Sequence, residues 1–245
     1  MTDLTPAVSS GLAPTGALRV GINYGNFILA TRDAVTGESR GVAIDLASEL
    51  AGRLGVRMEI VAYDSVAVMV EAAAANAWNI AFLGSDPDRE KLIDFTAAYL
   101  EIEATYLVPA GSPLRVVADV DRPGVRVAAP SKANYELFLS RHLKQASLVS
   151  PQGGEAAFEL LATGKVDALA GLKQALMGLA ERLPGSRMLD GRFMAVQQSI
   201  GVPKGRAAAL AYVRDLVEEA KASGLVARAI ENTGAHGVSV APRAT

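Results

Sequence analysis

WNIAFLGSDPDREKLIDFTAAY, residues 78–99, is the stretch whose reading decides the fold. Ile80, Ala81, Phe82 and Leu83 form a short unbroken apolar run, which suits a strand buried on both faces of a parallel sheet. Gly84, Ser85, Asp86 and Pro87 then break it. In open α/β sheets the chain leaving the carboxyl end of a central strand borders the ligand crevice, so the polar groups of this turn are expected to face one. Arg89 arrives there with a planar five-donor fork that matches a carboxylate or phosphate bidentately, and it is the first candidate for ligand capture. The alternative is a surface arginine paired with Asp86, Asp88 or Glu90. Trp78 is assigned to packing, because a tryptophan buries so much area.

Working outward toward the amino terminus, residues 18–22 read as a first strand, ended by Asn23, Tyr24, Gly25 and Asn26, with Phe27 at the same rim. Ile44, Ala47, Leu50, Ala51 and Leu54 fall on one helical stripe, and Gly55 stands where a helix stop belongs. Residues 56–62 are the next strand, followed by a helix over 65–76 with Val66, Met69, Val70 and Ala73 turned inward. The repeated strand and helix imply a parallel sheet. On the carboxyl side, residues 104–108 run extended into Pro109, Gly111 and Pro113, a candidate hinge. A second α/β unit follows, with strands at 125–129, near Leu148 and at 166–170 and helices over 132–144 and 155–163. Residues 193–202 end in Pro203 and Gly205, and a long helical pattern through Tyr212, Val213, Leu216 and Val217 then returns to the first unit. The expected organisation is a flexible Pro/Gly/Ser-rich tail over 1–17, one lobe from 18–109 plus 203–245, and a second lobe from 110–202. Two extended crossings between α/β lobes allow hinge closure on a ligand.

The composition limits what such a chain does. Of 245 residues half are apolar and 20% charged, with a net charge of −2, which describes a globular protein of one or two domains with ample core. There is no basic stripe, so no nucleic-acid partner is expected, and no apolar run approaches the ~18 residues that span a bilayer. Without cysteine there is no disulfide, thiol nucleophile or thiolate metal site. The first seventeen residues have neither a charged n-region nor an apolar h-region and do not read as a secretory signal, which leaves the cytoplasm open as a compartment. His142 and His236 are the only histidines, one amid polar helical neighbours and one in a Gly-rich tail. No triad, G-x-S-x-G motif or metal-ligand spacing results, so neither a cofactor nor a metal is expected. Glu101 and Glu103 are read as solvated, or paired with lysine and arginine.

GVAIDLASELAGRLGV, DPDREKLIDFTAAY, LVPAGSPL, ADVDRPGVRVA and ELLATGKVDALAG, in that order between about residues 18 and 232, resemble family 3 extracellular solute-binding proteins, the amino-acid-type binding proteins of ABC importers. The resemblance implies a periplasmic-binding-protein-like α/β fold, two lobes joined by two hinge strands with a ligand cleft between them, and a periplasmic location. Arg89 stands where the family places the arginine that grips a ligand carboxylate, ahead of a "DFS" segment that reads here Asp94, Phe95, Thr96. Ser85 lies in the preceding turn, which in the family offers hydroxyl and backbone N–H groups to the same carboxylate; the loop between Asn79 and Arg89 is shorter than usual. Asn26 and Phe27 fall where the family supplies an aromatic wall, able to stack on or hydrogen-bond a ligand, with core filling as the alternative for Phe27.

In the second lobe the family's Gly-Thr-Thr turn corresponds to Pro130, Ser131 and Lys132, opening a helix. Helix amino termini attract anions through free N–H groups and the macrodipole, and Lys132 adds to that attraction. Tyr135 reaches the cleft from the first turn of that helix or joins the stripe of Phe138 and Leu139. Two departures bear on specificity. The aspartate used by α-amino-acid binders corresponds to Leu172, and the first-lobe aspartate to Asn23. Without either carboxylate an ammonium group is poorly paired, and an unpaired charge in a closed cleft is expensive. The expected protein is therefore a monomeric binder without catalysis, delivering a small carboxylate ligand other than an ordinary α-amino acid to ABC transporter permease subunits. The alternatives are an enzyme on the same fold, like the cyclohexadienyl dehydratases, and a ligand-sensing regulatory domain.

Overall fold

A computed structural model describes residues 3–244. Along the chain run α1 (Pro6–Leu12), β1 (Ala17–Asn23), β2 (Thr31–Arg32), β3 (Ser39–Arg40), α2 (Val42–Leu54), β4 (Arg57–Tyr63), α3 (Val66–Glu71), β5 (Ile80–Gly84), β6 (Ile93–Phe95) and β7 (Leu100–Val108). They are followed by β8 (Arg126–Ala128), α4 (Asn134–His142), β9 (Ser147–Val149), α5 (Gly154–Ala162), β10 (Ala168–Leu172), α6 (Lys173–Arg182) and β11 (Arg187–Met188). The chain closes with β12 (Met194–Pro203), α7 (Ala207–Ala222), α8 (Leu225–Thr233) and β13 (Val238–Val240). Two compact α/β units result. Unit 1 holds the residues up to Glu101 and from Gln197 onward, and unit 2 holds Ile102–Val196. The chain thus leaves unit 1 within β7 and returns within β12; the breaks at Pro109 and Pro203 mark the far ends of the same strands.

In unit 1 the strands lie in the order β4, β1, β5, β12. The first three are parallel, and β12 runs antiparallel to β5 with Gln198 opposite Gly84. Every residue of β5 is buried, as a strand covered on both faces must be. On one side Ala81 and Leu83 pack with Met69, Ala73, Trp78 and Ile93. Trp78 is fully buried there, and its indole N–H donates to Met69 O at 2.9 Å, satisfying the polar end of a large apolar side chain. β12 passes so close over Ile93 that a Cβ on Gly201 would sit 2.6 Å from Ile93 Cγ2. Asn79, also fully buried, ties β5 to β1 by accepting from Arg19 N and donating its own N–H to Arg19 O, both at 2.8 Å.

The stretch expected as a flexible tail contains α1. Thr5 Oγ1 accepts from Val8 N, Pro6 sits at the first helical position, and Val8 and Leu12, four residues apart, are both buried. The helix lies close on α7, where a Cβ on Gly11 would come within 2.9 Å of Ala209 Cβ. The helix expected over 65–76 ends at Glu71, giving way to turns up to Asn76, which adopts φ +52°. Two arginines hold that turn: Arg19 Nη2 donates to Asn76 O and Arg206 Nη2 to Asn76 Oδ1.

Unit 2 orders its strands β7, β10, β8, β9, with β10 antiparallel to β7 and parallel to β8. One core gathers Tyr106, Val108, Val127, Leu139 and Ala168, with Tyr135, Phe138 and Phe193 against it. The other places Phe158, Leu161 and Leu176 under Leu107 and Leu169. The helix expected over 132–144 starts only at Asn134, because Lys132 is left-handed at φ +63°.

Candidate functional site

β1 and β5 are parallel neighbours, so the turns leaving their carboxyl ends emerge on the same edge of the unit 1 sheet. This brings Asn26 and Phe27, from the first turn, to the edge that carries Ser85 and Arg89, from the second. After β5, Ser85 N donates to Gln197 O at 3.0 Å. Asp86 then organises the turn: its Oδ1 accepts from Asp88 N at 2.9 Å, and its carbonyl accepts from Arg89 N and Glu90 N. This opens a single 3-10 turn over Arg89–Lys91.

Arg89 is 5% exposed, and its Nη1 donates to Gly84 O at 2.7 Å. The reading of an ordinary surface arginine does not hold, since the side chain folds back against the end of β5. Burial pushes the guanidinium down to about 10, while the charge of Asp86 pulls it the other way. It therefore stays protonated at neutral pH, largely stripped of water. In the other turn Asn23 Oδ1 accepts from Gly25 N at 2.9 Å, a local turn contact. Asn26 O accepts from Leu29 N and Ala30 N, whereas Asn26 Oδ1 is buried with no hydrogen-bond partner among the described residues. Phe27 is 44% exposed, so it is not core filling.

In unit 2, Ser131 N donates to Pro151 O at 2.9 Å, and Lys132 is exposed. The free N–H groups expected ahead of α4 are partly used: Lys132 N donates to Glu136 Oε2 at 3.0 Å, and Glu136 Oε1 accepts from Ser150 Oγ at 2.8 Å. Glu136 is 9% exposed, a buried carboxylate in the first turn of the helix that residue-type reasoning passed over. The signal was present, because a glutamate three residues into a helix commonly reaches back to the N–H groups before it. Tyr135 joins the core beside Phe138, and burial pushes its phenol up to about 12. At the end of β10, Leu172 leads directly into α6, and the charge nearby is Glu103, which accepts from Lys173 Nζ at 2.9 Å with Arg192 at 3.8 Å. Glu101 accepts from Gln197 Nε2 at 2.7 Å. His142 stacks on Phe138 at 3.9 Å with its Nδ1 on Phe138 O, and no group of three potential metal-ligating side chains occurs among the described residues.

Residues 18–233 match bacterial extracellular solute-binding proteins, family 3, and the chain belongs to that family. A glutamine-binding protein of Geobacillus stearothermophilus is 25% identical over 193 residues, covering 77% of this chain and 73% of that protein. Among solved structures, the solute receptor for L-cysteine of Neisseria gonorrhoeae superposes with a TM-score of 0.75 at 21% identity, covering 94% of this chain and 93% of that one. An ancestral amino acid-binding protein described as a precursor of cyclohexadienyl dehydratase gives 0.73 at 23%, covering 90% and 96%. These structural likenesses are of fold, and they extend the α/β binding-protein architecture over nearly the whole chain. No helix among the described residues is long and apolar enough to cross a membrane.

Proposed function

We propose that the protein captures a small carboxylate-bearing solute and passes it to the permease subunits of an ABC importer, acting as a binder without catalysis. Arg89 takes the carboxylate. Ser85, Asn26 and Phe27 are the further contributions of unit 1, and Ser131 and Lys132 those of unit 2, Tyr135 being packed against the core beside Phe138. The observation that carries the reading is the burial of Arg89 at the carboxyl end of β5: a guanidinium with little water around it gains more from an anionic guest than a solvated one does. Family membership supports delivery to an importer, and the family's extracellular setting supports a periplasmic location.

Asn23 and Leu172, standing in place of carboxylates, favour a guest without an α-ammonium group. A second reading, an ordinary amino acid, draws on the glutamine and L-cysteine named for the relatives and on Asn26 Oδ1, a buried acceptor able to take an ammonium hydrogen. A thermal-shift screen of matched pairs separates the two, since a specific ligand raises apparent stability by mass action. Each α-amino acid is run beside its deaminated carboxylate. Larger shifts for the deaminated partners are expected; larger shifts for the amino acids overturn the preference, and no shift from any carboxylate overturns the reading itself.

A further inference from the structure

A cavity of about 740 Å³ lies within unit 1 under the β2–β3 hairpin, between the amino-terminal half of α2 and the carboxyl-terminal turn of α8. That volume is in the range of small-molecule pockets. Its apolar wall is Phe27, Ile44 and Met58. Its charged groups are Glu38, Arg40 and Asp45. Glu38 and Arg40 neutralise each other through a 2.7 Å ion pair in the exposed hairpin. The Asp45 carboxylate has neither hydrogen bond nor ion pair among the described residues, and burial raises its pKa with no cation opposing.

A carboxylate in the first turn of a helix has an ordinary role, complementing the macrodipole. That role does not explain a partly buried acid facing a cavity with an aromatic ring at its rim. The far wall adds to the same sign of field: α8 ends there with no basic residue in its last turn, and its terminal carbonyls carry partial negative charge. We propose that this groove is a second binding site, distinct from the Arg89 turn though it shares Phe27 with the carboxylate site, for an organic amine with an apolar body, whose ammonium is held by Asp45 while its body lies on Phe27, Ile44 and Met58. Phe27 also offers a ring face to the cation.

The test is a titration of the full chain with 2-phenylethylamine, followed by amide chemical shifts, with 2-phenylethanol as the uncharged probe of the same body. Saturable shifts at Gly41, Asp45 and Asn232 are expected, with affinity at least tenfold lower for the alcohol and for Asp45→Asn. Ser48→Trp, placed on the exposed part of the wall, is expected to abolish the shifts while leaving Asp45 in place, and it keeps the test open should Asp45→Asn misfold. Equal binding of amine and alcohol, undiminished binding in either folded variant, or no saturable shift overturns the proposal. The titration contains no carboxylate ligand, so failure here and failure of the carboxylate reading are told apart.

Discussion

Arg89 and Glu136 are two buried charges at the starts of the turns that matter, each bonded within its own unit, Arg89 Nη1 to Gly84 O. Glu136 has its partners in the chain, Lys132 N and Ser150 Oγ. Removing it strands those donors, so Glu136→Ala is expected to lose about 1–3 kcal/mol in urea denaturation; a loss well under ~0.5 kcal/mol means the cap is ornamental. Asp45 gives a pH signature. Its folded-state pKa is raised above the unfolded value near 3.8, so the folded state binds more protons and the contribution of Asp45 to stability falls as pH rises through that window. Asp45→Asn is therefore expected to gain Tm relative to wild type on going from about pH 4 to neutral, and parallel profiles would remove the burial argument. The position of Arg89 was legible from the apolar run and the break before it. The role of Glu136 was legible only in part: a glutamate three residues into a helix announces a cap, but its reach to Lys132 N depends on the left-handed backbone there, which nothing in the residue type announces.

Elements with long, unambiguous periodicity were the ones the sequence disclosed well. α2 and β5 match expectation closely, since a thirteen-residue amphipathic stripe and a fully apolar run leave few alternatives. Shorter elements escaped. α1 is only seven residues among prolines, glycines and serines, and its helicity comes from Thr5, Pro6 and the packing of Val8 and Leu12 rather than from composition. α6 buries a single side chain, Leu176, too little for a stripe to show. If α1 is part of the folded unit, Leu12→Ala opens a core cavity and costs about 2–5 kcal/mol, measured by urea denaturation. A loss below ~1 kcal/mol would mean that the segment behaves as the tail its composition suggests.

For the molecule as a whole, the alternation of strands and helices was sufficient to expect an α/β fold, the resemblance to family 3 solute-binding proteins implied the binding-protein architecture, and the match over residues 18–233 agrees with it. The identity of the guest is less legible, because it depends on where a few polar groups point at two strand ends. Asn26 illustrates this: its amide oxygen is buried without a described partner, a fact of side-chain placement that no spacing predicts. The central claim is that a buried guanidinium anchors an anionic guest. The most direct measurement is the calorimetric Kd of the best carboxylate from the matched-pair screen for wild type and Arg89→Ala, with Arg89→Lys as companion and circular dichroism verifying the fold of each. Loss of a buried charge-assisted pair predicts about a hundredfold weaker binding for Arg89→Ala, with partial recovery in Arg89→Lys. The same Kd for wild type and a folded Arg89→Ala would contradict the account.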